Sequence, residues 1–350
     1  MSGRSRSSRR RGRGRRVLGW SLLVGAATAA AVVLAWKHET TAEQLPGGAA
    51  PLRLVVPPGS NADAIGREIA SLGLVRHPMV FRLLVRVRGL DGQLKAGEYA
   101  LEGPLTLEEI VELLARGDVV RREVTIPEGR TLEEIAVLAG AQGLAVEAFV
   151  TAARNAALVR DLDPEATDLE GYLFPDTYEI PLAADPERRL VERMVIRFRD
   201  VIEPEAARIE QTGLALREIV TLASLIELET ARAEERPRIA AVFLNRLRRG
   251  MLLQTDPTVI YALKRAGRWD GNIRRQDLHV DSPYNTYRRP GLPPGPIGSP
   301  GREAILAVLE PADSGALYFV SRNDGTHHFS ETLAEHNRAV NRYQRRRTSS

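Results

Sequence analysis

Between Ile219 and Ile226 the apolar residues Ile219, Leu222, Leu225 and Ile226 recur at helical spacing, which obliges the segment REIVTLASLIELETARA to form a helix with an apolar face bound for a core. Two carboxylates, Glu227 and Glu229, sit near its end. Residues two apart on a helix point about 200° from each other, so the pair cannot serve one site from one face. At about 100° per residue the apolar face centres near Ile226 and Ile219, and Glu229 lies closer to that centre than Glu227 does. A carboxyl at the edge of an apolar face loses hydration and its pKa rises, which suits a general acid near neutral pH. Spacing alone leaves a second reading open, in which Glu229 pairs with Arg232 one turn on.

The stretch Val17–Trp36, VLGWSLLVGAATAAAVVLAW, carries no charge and is about long enough to cross a bilayer core as a helix, with Trp20 and Trp36 placed as interfacial anchors. Eight arginines precede it and only Lys37 follows at once, which puts the N-terminus in the cytoplasm and the rest outside. A cleaved signal peptide is the rival, since small-residue triplets occur within the run; the apolar residues continue past them, which favours an uncleaved anchor. The net charge of +4, less those eight positive charges, leaves −4 for the remaining chain. A basic tail with an acidic remainder argues against nucleic-acid binding, which calls for cations on a folded face. Cysteine is absent, so disulfides and thiolate metal sites are excluded.

The expected organisation is a cytoplasmic basic tail over 1–16, a transmembrane helix over 17–36, a linker over 37–51, a strand/helix subdomain over 52–122, a mixed α+β domain over 123–343 and a tail over 344–350. LRLVVPPGSNADAIGREIASLGLV reads as strand, Pro-Gly turn and helix capped by Ser60 or Asn61. EVTIPEGRTLEEIAVLAGAQGL repeats that order, with Thr131 as cap and Glu134 as its capping-box partner. Between them PLTLEEIVELLARGD starts a helix at Thr106 and ends it near Gly117. Such units resemble LysM-like modules, which bind peptidoglycan glycan; the alternative is a spacer that holds the following domain at a set distance from the membrane.

Three further stretches concentrate polar and aromatic residues. In LEGYLFPDTYEIP, Tyr172, Phe174 and Tyr178 could stack on sugar rings while Asp176 bonds sugar hydroxyls; equally, this is an aromatic strand packed in the core with a turn at Pro175 and Asp176. Gln254, Thr255, Asp256 and Thr258 crowd a short loop after a helix that starts near Pro237 and ends at Gly250, although Asp256 before Pro257 could instead be a capped turn. SPYNTYRRPGLPPGPIGSPG is too rich in Pro and Gly for a regular element and suits an ordered cleft rim. The chain closes with a helix, a LYFV strand, an Asn-Asp-Gly turn, a HHF strand and a helix. His327, His328 and His336 lack any metal-ligand spacing, so no metal and no cofactor are expected.

Taken together, ASLIELET (Ala223, Ser224, Glu227, Glu229, Thr230) followed by VFLNRLRRGMLLQTDPTVIY (Val242 to Tyr261) resembles the catalytic core of the MltG (YceG-like) family of membrane-bound endolytic murein transglycosylases. KAGEYAL from Lys95, the Glu170–Tyr178 element, Tyr284-Asn285-Thr286-Tyr287, GLPPGPI, His328 with Phe329, and Asn337 fit further elements of that family. The resemblance implies that Glu229 is the catalytic acid of a lytic transglycosylase, a carbon–oxygen lyase acting on a polysaccharide. It implies Glu227, Asn245, Arg246, Gln254, Thr255, Asp256, Tyr284, Asn285, Thr286, Tyr287, Asp176, Tyr178 and His328 as candidate substrate contacts. The implied reaction cuts the bond from N-acetylmuramic acid to N-acetylglucosamine inside nascent glycan strands, leaves a 1,6-anhydro end and stops elongation. The implied fold class is α+β, with a transmembrane helix, a LysM-like subdomain and a YceG-like catalytic domain. The implied setting is the bacterial inner membrane, single-pass, with the catalytic domain outside the cytoplasm; partners would be peptidoglycan strands, membrane lipid and peptidoglycan synthases. A hydrolytic muramidase using Asp256 or Asp176 to activate water, and a non-catalytic peptidoglycan-binding protein, are the rival functions.

Overall fold

The computed structural model describes residues 28–45, 48 and 50–345. The expected basic tail, the first part of the expected transmembrane helix and the end of the C-terminal tail lie outside the described residues. Among the described residues no helix is long and apolar enough to cross a membrane. The chain divides into two compact units, Met1–Arg121 with Pro181–Ala184, and Arg122–Ile180 with Asp185–Ser350.

In the first unit a helix over 28–41 (α1) leads into β1 (Glu43–Leu45), which pairs antiparallel with β4 (Leu105–Thr106). The expected linker over 37–51 is therefore partly built in: Leu45 is buried, and the Thr40 hydroxyl donates to the Trp36 carbonyl at 3.1 Å. Antiparallel β2 (Leu52–Val56) and β3 (Gly97–Leu101) pair with Leu54 opposite Tyr99, and the alternation buries Leu54, Val56, Tyr99 and Leu101. Helices α2 (Ala62–Ser71), α3 (Pro78–Val87) and α4 (Leu107–Arg116) complete this core with Ile65, Ile69, Phe81, Leu84, Ile110 and Leu114. Asn61 caps α2 by accepting from the Ala64 N–H at 2.9 Å. Thr106 and Glu109 form a capping box on α4, and Gly117 closes that helix in the left-handed region at φ 77°.

The second unit begins with β5 (Arg121–Thr125), paired with β6 (Thr177–Pro181), then α5 (Leu132–Ala141) and α6 (Val146–Ala153). Thr131 and Glu134 form the expected capping box on α5. Helices α7 (Pro186–Ile202) and α8 (Ala206–Thr212) precede α9 (Leu216–Glu229). Every residue of α9 from Ile219 to Ile226 is buried, a wider burial than the one apolar face its spacing predicts. The reason is that α10 (Arg236–Arg248), α11 (Asp256–Arg265) and α12 (Arg302–Leu309) all pack on it, making it the axis of the unit. A hairpin of β7 (Tyr318–Ser321) and β8 (His327–Ser330), then α13 (Leu333–Val340), close the fold.

The Pro/Gly-rich segment adds no long element, as expected, but it is pinned to α9: the Ile297 N–H donates to Ser224 Oγ at 3.1 Å. Gly171 lets this segment approach. It holds φ 83°, and a Cβ there would come within 2.4 Å of Pro296 Cβ and 3.0 Å of Val220 Cγ1. Gly171→Ala should therefore destabilise the protein by about 2–4 kcal/mol through strain and overpacking together. Urea unfolding of parent and variant measures this, and equal midpoints would show that Pro296 yields freely.

Candidate active site

The last residue of α9 is Glu229, and Thr230 after it turns extended. Where the helix stops, Glu229 meets the loop ahead of α11, and the Thr255 hydroxyl donates to its Oε1. Burial raises the Glu229 carboxyl to about 7; the Thr255 hydroxyl works against that rise, Asp256 adds to it, and His327 and Arg246 oppose it. The expectation of an acid held at the edge of an apolar face is met in this geometry. The alternative pairing fails: Arg232 turns to the Gly325 carbonyl, at 2.9 Å, and to Glu234, at 3.3 Å.

A cleft of about 460 Å³ opens at this carboxyl, lined among others by Arg246, Gln254, Asp256, Tyr287, Tyr318 and His327. The loop that carries Gln254 and leads into Asp256 is held from behind by a lattice of buried threonines. Thr286 accepts the Gln254 N–H on its carbonyl at 3.1 Å and the Thr255 N–H on its hydroxyl at 3.1 Å, and that hydroxyl also meets the Thr258 hydroxyl at 2.9 Å. Gln254 is exposed on the cleft wall at φ 50°, a left-handed conformation held by these bonds. Asp256 does not form a separate turn; it is the first residue of α11, and the Tyr287 hydroxyl donates to it at 2.5 Å. Glu229 and Asp256 are the carboxylates that line the cleft among the described residues.

Asn245 and Arg246 stand together in α10 but do different things. Asn245 is used up inside, its amide donating to the carbonyls of Ser314 and Ala316 at 2.8 and 3.0 Å. Arg246 donates to the carbonyls of Leu317 and Leu253 at 2.7 and 2.8 Å, lies 5.1 Å from the Tyr318 ring centre and lines the cleft as a fixed cation. Asn285 is likewise internal, donating to Leu278 and Val280 carbonyls at 3.0 and 2.8 Å.

Several expected contacts lie elsewhere. Glu227 turns away from the cleft, to Arg236 at 2.7 Å and the Gly301 N–H at 3.0 Å, as the 200° separation requires; burial pushes its carboxyl up, against the Gly301 N–H and Arg236. Tyr172, Phe174 and Tyr178 are buried in the core, so the stacking platform is absent there; the core packing of the alternative holds, but only Tyr178 lies in a strand, β6, while Tyr172 and Phe174 sit in the turn ahead of it, and the Tyr178 hydroxyl donates to the Phe174 carbonyl at 2.6 Å. Asp176 pairs with Arg197 at 2.8 Å. Tyr284 lies against Tyr261, ring centres 4.9 Å apart, outside the cleft lining. His328 points to Tyr343, ring centres 5.8 Å apart, and its neighbour His327 faces the cleft instead.

His327 is the residue that sequence reasoning missed, and strand alternation could have found it, because His327 and Phe329 share the face of β8 that carries the core-packed phenyl ring. Its Nδ1 meets Glu235 Oε2 at 2.6 Å and its N–H donates to Glu235 Oε1 at 2.8 Å. Burial works upward on Glu235, but these bonds win and hold its carboxyl below the usual range. His336 also lines the cleft, stacked on Tyr318 at 5.1 Å, and desolvation and the nearby Arg246 keep its pKa low. Among the described residues no cluster of three or more His, Asp or Glu is placed to hold a metal ion.

Comparison with known proteins narrows what this α+β protein with a desolvated carboxyl at a helix end can be. The model of the YceG-like family matches residues 54–342. The endolytic murein transglycosylase of Bacillus subtilis strain 168 is 32% identical over 307 residues, covering 82% of this chain and 83% of that protein. The endolytic murein transglycosylase of Streptococcus pneumoniae serotype 2 is 33% identical over 318 residues, 81% of this chain but 57% of the longer streptococcal protein. The crystal structure of a yceG-like protein from Listeria monocytogenes matches with a TM-score of 0.56 at 32% identity, covering 83% of this chain and 99% of that one. The chain belongs to the YceG-like family.

The raised Glu229 pKa carries a stability consequence. Its folded value of about 7 lies above the ordinary 4.5, so its favourable contribution is complete below pH 4.5 and is lost as pH rises through 7. Glu229→Gln, which can still accept from Thr255, should be more stable than the parent at pH 8 by on the order of 2 kcal/mol, with no gain at pH 4. Urea titrations at the two pH values test this; an equal difference at both would show that the carboxyl is not desolvated.

Proposed function

We propose that this protein is an endolytic murein transglycosylase with Glu229 as its acid and base. The observation that carries the reading is a lone desolvated carboxyl with a pKa near neutrality, at the mouth of a polar cleft, in a chain of this family. In the first half of the reaction the Glu229 carboxyl gives its proton to the oxygen linking C1 of N-acetylmuramic acid to N-acetylglucosamine. The C1–O bond breaks and the N-acetylglucosamine leaves with a free hydroxyl. In the second half the carboxylate takes the proton from the muramyl C6 hydroxyl, whose oxygen closes on C1 to give the 1,6-anhydro ring. The substrate supplies the nucleophile, so no carboxylate is needed to activate water. Thr255 holds the carboxylate in place for the second half, Arg246 supplies positive charge at the cleft wall, and the His327 imidazole lines it. Gln254, Asp256 and Tyr287 border the space in which the sugars would lie and are the substrate contacts this geometry favours.

The uncharged run Val17–Trp36 and the arginines before it support a single-pass inner-membrane protein with its N-terminus in the cytoplasm. Tethering there would concentrate the enzyme where strands are made and place peptidoglycan synthases within reach. The strand/helix unit that precedes the catalytic unit would contribute glycan affinity in the manner of LysM-like modules.

Mass spectrometry of fragments released from purified peptidoglycan decides between the readings. Anhydro-ended fragments from inside strands are expected, and Glu229→Gln should lower their yield by about 10²–10⁴-fold. Reducing-ended fragments would instead make the enzyme a hydrolase, with Asp256 in the cleft as the water-activating group. Binding without any fragments would leave a non-catalytic peptidoglycan-binding protein.

A further inference from the structure

Helix α3 has two faces of opposite meaning. Phe81, Leu84 and Val85 point into the core of the first unit, whereas Met79, Leu83 and Val87 stand in the open, 73%, 45% and 69% exposed. Spaced four apart, these three form one stripe along the helix. A surface helix of a soluble protein ordinarily carries polar residues there.

The charges carried by the helix itself have one sign. The helix PMVFRLLVRV contains Arg82 and Arg86 and no acid, and Arg76 and Arg88 flank it. Arg82 is held by Asp63 at 3.2 Å, and Arg88 by Glu108 at 2.5 Å. Arg76 and Arg86 are exposed and have no carboxylate partner among the described residues.

The same unit exposes more apolar surface next to this helix. A cavity of about 610 Å³ is lined by Trp36 of α1 together with Pro78, Met79, Val80 and Leu83, with His77 and the Asp63–Arg82 pair also lining it, so α1 and the start of α3 share one largely apolar hollow. Further back on α1, Val32, Val33 and Leu34 are each more than 60% exposed. These residues and Trp36 belong to the uncharged run Val17–Trp36 proposed above to enter the bilayer, whose second part forms the start of α1, so α3 lies where that run ends.

We propose that the outer face of α3 lies on the surface of an anionic phospholipid bilayer. Met79, Leu83 and Val87 enter the boundary between headgroups and acyl chains, and Arg76 and Arg86 pair with lipid phosphates. An apolar stripe flanked by unpaired cations is the pattern of helices that lie in the membrane interface. Trp36 sits at the same level, where an indole with one apolar and one polar side is favoured. A protein partner would need an acidic as well as an apolar face to satisfy the two arginines, whereas anionic lipid provides both at the place where the anchor holds this unit. This inference rests on the membrane anchor argued above.

The chain has no cysteine, so single labels can be placed cleanly. Met79→Cys, Leu83→Cys and Val87→Cys, with Ser71→Cys as an exposed reference on α2, are labelled with an environment-sensitive fluorophore in the full chain. The protein is reconstituted into vesicles of phosphatidylcholine alone or with phosphatidylglycerol, with bromine on the acyl chains. Labels at 79, 83 and 87 should shift to the blue and be quenched by bromine in the anionic vesicles, while the label at 71 should not. Quenching should fall on Arg76→Glu with Arg86→Glu and in phosphatidylcholine alone. If the protein floats with the vesicles but all four labels report water, the anchor stands and this inference is overturned. Failure to float would overturn the anchor itself and the inference with it. Blue-shifted labels in detergent without bromine quenching in vesicles would show a second copy or another protein on the stripe, and would also overturn it.

Discussion

The bond from the Thr255 hydroxyl to the Glu229 carboxylate is the interaction on which the rest of the catalytic unit converges. A desolvated carboxyl at the end of a helix buried along most of its length is costly to ionise unless a donor meets it. Thr255 can be that donor only because its backbone is fixed by Thr286, and Thr286 is fixed in turn by Thr258. Gln254 accepts a left-handed conformation so that the next residue points its hydroxyl at the acid. The Pro/Gly-rich segment therefore acts as a splint behind the loop as well as a rim to the cleft.

The other glutamate near the end of α9 explains why that end stays where it is. Glu227 binds Arg236 at the start of α10 and the Gly301 N–H ahead of α12, so three elements meet at one side chain. One helix end thus carries a structural carboxylate and the proposed catalytic one, two residues apart and pointing in different directions. Helical geometry separates their environments, and with them their chemistry. Asn245 and Asn285 repeat the pattern: polar residues beside the site spend their donors on loop carbonyls and hold its walls rigid.

Local features were legible in the sequence because local physics decides them. The capping boxes at Thr106 and Thr131 follow from a Thr with a Glu three residues on, and both form. That Glu227 and Glu229 leave α9 in different directions follows from their spacing of two, and the β7–β8 hairpin from its turn residues. What could not be read was set by distant partners. Whether Tyr172, Phe174 and Tyr178 face sugar or core depends on α7, whose Phe198 lies edge-on to Tyr172 with ring centres 5.2 Å apart. That Asn245 faces inward depends on carbonyls some 70 residues away. His327 differs from these, because the alternation of β8 puts it on the same face as Phe329 and that pattern is present in the sequence.

A single residue that acts first as acid and then as base needs a pKa that neither state dominates. In the mechanism proposed for Glu229, burial alone would leave the carboxyl protonated and unable to take the C6 proton. A full set of donors would leave it ionised and unable to release the leaving group. The site sets these against each other: desolvation and Asp256 favour the acid, while Thr255, His327 and Arg246 favour the base. Glu235 contributes from one step further out, because its bonds to His327 fix the ring that faces the cleft. In ordinary glycosidases two carboxylates divide these roles between two environments. Here one carboxyl occupies an intermediate environment, so the precision of the site lies in the groups around Glu229 more than in Glu229 itself.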